Sequence, residues 1–148
     1  SQQKGGGFVD VVYRFQSSIP YSLHDGRVNR MVWENGDLRL FFEDGYLELS
    51  QPPRPVEGQV RIRQVDEDFS YVHFLSDYGR FGLFQGEKMP LSEFIRRYPE
   101  FSFEIVGEYY GYQSLVYGGY FSLPERENVV DMTLSVTYAG AIVYERAE

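Results

Sequence analysis

The chain contains no cysteine. Disulfide frameworks, thiolate nucleophiles and Cys-based zinc sites are therefore excluded. Histidine is scarce, with two copies far apart in sequence and in no His-x-His or i, i+4 spacing, so no metal site is expected. No stretch approaches the roughly 20 consecutive apolar residues that a membrane-crossing helix needs. Basic residues are the minority, 14 Lys and Arg against 22 Asp and Glu, for a formal charge of −8. Such a chain repels phosphate backbones and anionic lipid surfaces, which argues against nucleic acid and membrane as partners. Phosphate loops are missing too. Neither Gly5-Gly6-Gly7 nor Gly118-Gly119 precedes a helix or carries the Lys-Ser/Thr of a P-loop, and no Gly-x-Ser-x-Gly elbow occurs. No catalytic residue and no cofactor is expected.

What the sequence does have is aromatic surface. Tyr and Phe number 13 and 12, and the composition is 43% hydrophobic, too apolar for disorder. Both residue types favour pleated, half-buried strands. With 148 residues, one domain can bury roughly 70% of its unfolded surface without staples. Residues 1–7 read as a flexible polar, glycine-rich segment and residues 8–148 as a single β-rich domain. The expected location is cytoplasmic, with a removed N-terminal signal left open.

Turn chemistry carries most of the fold reading. Asn35-Gly36 and Asp44-Gly45 are both signals for two-residue type I′ hairpin turns, whose central residues need positive φ. Two such turns predict a three-stranded meander over residues 27–50. They pair Trp33 with Leu38, Met31 with Leu40 and Phe42 with Leu47, and place Met31, Trp33, Leu38, Leu40, Phe42, Leu47 and Leu49 on one face. On the other face Phe41 lies between Arg30 and Glu48. Further strands are read at residues 8–16, 59–64, 71–75, 81–84, 101–106, 130–138 and 141–146, with a turn at Ser76-Asp77-Tyr78-Gly79. Residues 108–123 read as a hairpin with a bulge or a close backbone approach at its glycines. One short helix is expected at about 90–98. Pro90 suits its first position, Leu91, Phe94, Ile95 and Tyr98 form its apolar face, and Pro99 ends it. The fold class that follows is mostly β: an antiparallel β-sandwich or barrel of about ten short strands.

Candidate functional residues are few. His24 and Asp25 make a polar pair, though Asp25-Gly26 is equally a turn. His73 sits in a strand opposite Val72 and Phe74. Asp66-Glu67-Asp68 lacks the glycine that an EF-hand loop requires. The densest signal runs from Tyr109 to Tyr120, where five tyrosines and three glycines share twelve residues. Tyr109, Tyr110, Tyr112, Tyr117 and Tyr120 are thus the candidate partner-binding residues, since rigid amphipathic rings suit interfaces and sugar stacking. The stretch Leu23-His24-Asp25-Gly26-Arg27-Val28, followed by strand-turn-strand, resembles small bacterial β-rich domains, including some immunity proteins that neutralise polymorphic toxins. That resemblance implies a cytoplasmic protein whose acidic surface binds a toxin. The function expected is a non-enzymatic binding domain with a protein partner or a second copy of itself. A β-barrel or sandwich that holds a small ligand or a carbohydrate is the alternative.

Overall fold

The computed structural model describes residues 7–13, 19–75 and 86–147. The turn expected at residues 76–79 and the strand expected at 81–84 lie outside them, as do residues 14–16 of the first expected strand. Thirteen strands, one α-helix and a short 3-10 turn at Glu67–Phe69 are present among the described residues. Ten strands form one antiparallel sheet in the order β1 (Phe8–Tyr13), β13 (Ile142–Ala147), β7 (Gly58–Ile62), β4 (Asp37–Phe42), β3 (Arg27–Glu34), β10 (Ser102–Gly111), β11 (Ser114–Ser122), β12 (Val130–Thr137), β8 (Tyr71–Leu75) and β9 (Gly86–Pro90). A second, three-stranded sheet contains β2 (Tyr21–Ser22), β5 (Tyr46–Glu48) and β6 (Arg54–Val56).

The long sheet consists of two halves. β3 and β10 are joined by only two residue pairs, Val28↔Phe103 and Arg27↔Glu104. The apolar faces on either side of that seam share one core. Leu38, Leu40, Val60, Ile62 and Tyr144 come from one half, and Ile105, Leu115, Tyr117, Leu134 and Val136 from the other. Beyond β7 and β12 the chain ties the halves together again, with Val65 bridging Tyr138 and the Asp66 amide donating to the Thr137 carbonyl at 2.8 Å. The arrangement is a sandwich-like bent sheet with two ends, β1 and β9. It is not the closed barrel allowed by the sequence reading. The β9 strand was not expected at all.

The first hairpin is as the turn chemistry predicts. Asn35 and Gly36 have φ of 53° and 85°, and Glu34↔Asp37, Trp33↔Leu38 and Met31↔Leu40 are paired. The second is a correction. β4 takes β7 as its other neighbour, and β5 leaves to pair with β2 and β6. At Asp44-Gly45 only the glycine adopts positive φ, so no two-residue type I′ turn forms. Gly45 is needed for a different reason, because a Cβ there would lie 1.9 Å from the Val56 carbonyl oxygen. The driving force is Tyr46, which is buried with its ring centroid 5.5 Å from Tyr21 and 5.4 Å from Phe42. Its hydroxyl donates toward the carbonyls of Glu145 and Gln59 at 3.0 and 3.2 Å. Leu49 is therefore exposed rather than on the meander face. Arg30 does cover Phe41, 4.7 Å from its centroid, whereas Glu48 turns away to Arg54 at 2.7 Å.

The helix, α1 (Leu91–Arg97), buries Leu91 and Phe94 and stops before Pro99. Pro90 is the last residue of β9, in extended conformation, rather than the first of the helix. Two turns of helix are too short to be stable alone. Phe94 docks this one on Phe101 and Phe121, with centroids at 5.2 and 5.9 Å.

Candidate functional site

β10 and β11 form a long hairpin that contains all five candidate tyrosines. Its register shifts between Ile105 and Gly107, leaving Val106 as an extra, partly exposed residue. Side chains alternate between faces along a strand, so one inserted residue exchanges the faces of everything beyond it. Phe103 and Ile105 point into the core before the bulge, and Glu108 and Tyr110 take the inner positions after it. Opposite, Gly119 allows the two strands to come close, since a Cβ on it would lie 1.8 Å from the Glu104 carbonyl oxygen.

The five tyrosines therefore divide. Tyr117 is fully buried and Tyr110 is half-buried, its ring 5.3 Å from Tyr13 and 6.0 Å from Tyr117. Tyr109, Tyr112 and Tyr120 are exposed, at 66%, 76% and 47%. Directly paired residues share a face, so the register maps the outer surface. Tyr120 lies beside Asp131, Val116 beside Ser135, and a lane of Gly107, Gly118 and Thr133 runs between the Tyr109 and Tyr120 rows. That lane continues to His73 on β8 and Lys88 on β9. The Tyr109 ring leans over Gly107, where a Cβ would come within 3.1 Å of it. Lys88 rests its ammonium 3.9 Å above the Tyr71 ring.

His73 thus borders this outer face. Partial burial, and next the charge of Lys88, lower its pKa and so favour the neutral imidazole. His24 and Asp25 are elsewhere, in the turn before β3. Their side chains approach to 3.2 Å and both are well exposed. The backbone explains the turn: Asp25 has φ 66°, its amide donates to the Ile105 carbonyl, and the Gly26 amide donates to that of Leu23. The turn pins the start of β3 to β10. The structure does not bring His24 and His73 together, and among the described residues no group of three potential metal ligands converges.

The sequence reading missed Glu108. Its carboxylate accepts from the Tyr110 hydroxyl at 2.7 Å, from the Leu23 amide at 2.9 Å and from the Ser22 hydroxyl at 3.4 Å. Around it lie Tyr110, Tyr117 and Tyr144, whose phenols are pushed above their usual pKa chiefly by burial, with Glu108 adding to the rise and the Tyr110 hydroxyl acting against it on Tyr117 and Tyr144. The hydroxyls of Tyr13, Tyr117 and Tyr144 have no hydrogen-bond partner among the described residues. Such phenols stay neutral at physiological pH, so none is a phenolate base. Glu108 acts as a clasp between β2 and β10. The available signal was its position two residues before Tyr110, but only the bulge turns that spacing inward.

The chain is thus an antiparallel, mostly β protein with an aromatic outer sheet face and no assembled catalytic constellation among the described residues. No helix among the described residues is long and apolar enough to cross a membrane. Comparison with protein-family models, with curated proteins and with solved structures yields no match.

Proposed function

We propose that this protein is a non-enzymatic binding domain that takes a protein partner on the outer face of β10, β11 and β12. One observation carries the reading: Tyr109 and Tyr120 stand exposed on the face of a sheet whose other side already supplies the core. Large exposed rings are costly to leave in water and are enriched in the centres of interfaces. The formal charge of −8 favours a basic partner through long-range attraction. This accords with the resemblance to toxin-neutralising immunity proteins. A carbohydrate is the second reading, favoured by the polar side chains of Asp131, Thr133 and Ser135 beside the two tyrosine rows.

The test is the double variant Tyr109→Ser, Tyr120→Ser. Its urea midpoint should match the parent within about 0.5 kcal/mol of stability, as for other surface changes. Partner capture or self-association, followed by sedimentation and pull-down, should weaken by about 2 kcal/mol or more. A glycan panel run in parallel separates the two readings. Unchanged association in the variant would refute a role for this face.

A further inference from the structure

A separate concavity lies at the opposite end of the β10–β11 hairpin from its turn, between the end of α1 and the segment joining β11 to β12. It has a volume of about 220 Å³. Three rings meet in its wall: Phe121 lies 4.9 Å from Phe74 and 5.3 Å from Tyr98, and Phe74 lies 5.8 Å from Tyr98. Leu123 and Val130 extend this apolar surface, and Arg126, Asn128, Ser122 and Glu87 supply the polar groups. An apolar body with a few convergent polar groups is the usual form of a small-ligand site.

The two guanidiniums nearby are not equivalent. Arg97 is engaged, with Glu87 at 3.3 Å and Glu93 at 3.4 Å, and it lies 5.8 Å from the Tyr98 centroid. Arg97 is thus shared between two carboxylates, and Glu87 is only partly offset. Arg126 lines the same concavity and makes no ion pair or side-chain hydrogen bond among the described residues. Glu100 and Glu125 line a second, adjoining concavity of about 370 Å³, which Arg97 and Arg126 also border. Among the described residues, Arg126 is thus the guanidinium of this concavity that has no ion pair, and it stands beside an aromatic wall. A guanidinium matches a carboxylate in a two-pronged geometry that a point charge cannot reproduce.

We infer that this pocket binds a carboxylate carried on a single apolar ring, with the ring against Phe74, Tyr98 and Phe121 and the carboxylate on Arg126. The site is distinct from the tyrosine face, and its failure would leave that reading untouched. Two sources share the chemistry: a free aromatic acid, and a polypeptide C-terminus ending in an aromatic residue.

The probes are 3-phenylpropionate and its primary amide, together with an acetylated Gly-Gly-Gly-Phe peptide as free acid and as amide. Each is titrated against the full chain, and the ring resonances of Phe74, Tyr98 and Phe121 are followed by NMR. The expected result is shifts in all three rings, with each acid binding at least about ten-fold more tightly than its amide, the scale of one charge-assisted hydrogen-bond interaction. Arg126→Gln should erase that acid-over-amide preference while leaving residual ring contact. Arg126→Lys should retain part of it. The stronger binder of the two acids identifies the source. Equal binding of acids and amides, a preference that survives Arg126→Gln in a folded variant, or no ring shifts at probe saturation would each overturn the assignment.

Discussion

Tyr109 and Tyr110 are adjacent in one strand, yet they belong to different environments. Tyr109 shows 66% of its surface to solvent, while Tyr110 leans on Tyr13 and donates its hydroxyl to Glu108. Nothing in the residue type distinguishes them. The difference comes from Val106, the extra residue whose bulge exchanges the two faces of β10. Before it, odd-numbered residues point inward; after it, even-numbered residues do. A single inserted residue thus assigns one tyrosine to the interior and leaves its neighbour for a partner.

The severest way to break this contrast is to insert one alanine between Gly107 and Glu108, beyond the bulge. With the partner strand in its present register, the insertion would turn Tyr109 inward and Glu108 and Tyr110 outward, taking the Glu108 carboxylate from its three donors. Loss of cooperative urea unfolding and of near-UV circular dichroism is expected. Retention of the parent midpoint would show that the register of β10 does not set the faces.

Within the inner set, Tyr117→Ala should cost about 3–5 kcal/mol, as large-to-small changes of buried aromatics do. Tyr117→Phe should cost little or stabilise, because it removes a buried hydroxyl that meets no hydrogen-bond partner among the described residues. A large loss in Tyr117→Phe would mean that this hydroxyl is hydrogen-bonded in solution. The neighbouring glycines sharpen the comparison on β11. Gly119→Ala drives a Cβ into the Glu104 carbonyl and should lose about 1–3 kcal/mol, the usual range for overpacking. Gly118→Ala, whose Cβ would meet only Thr133 at 3.8 Å, should stay close to the parent. Equal midpoints for the two would contradict the close approach at the bulge.

The smallest effect per group appears in alkali. Burial holds the phenols of Tyr110, Tyr117 and Tyr144 above their ordinary pKa of 10.0. In the unfolded chain they ionise near pH 10. Their contribution to stability is therefore complete below pH 10 and declines as pH rises past it, by up to about 1.4 kcal/mol per pH unit for each. Urea midpoints measured from pH 9 to 11 should fall, and Tyr117→Phe should lessen the slope. A flat profile would place these phenols in water.

Much of the fold was legible because local chemistry and burial agree there. The strand of residues 130–138 alternates cleanly, and Met132, Leu134, Val136 and Tyr138 are buried as that alternation requires. The helix could be read from the spacing of Leu91, Phe94, Ile95 and Tyr98 between two prolines. The candidate site was legible only as a cluster. The sequence marked five tyrosines, but not which three are exposed, and it left Glu108 unmarked among 22 acids.

The sequence by itself determined the β class, the Asn35-Gly36 hairpin with its register, the helix, and the absence of thiol chemistry. These depend on backbone conformations and spacings that neighbouring residues impose on one another. Only the tertiary structure decided the partners of β5, the open rather than closed sheet, and the division of the tyrosines. At Asp44-Gly45 the local hairpin preference is worth less than burying Tyr46 among Tyr21, Phe42 and Tyr144. At Val106 the face of every later residue in β10 follows from how two strands pass each other. Both are long-range packing choices, set by segments distant in the chain, and no local pattern encodes them.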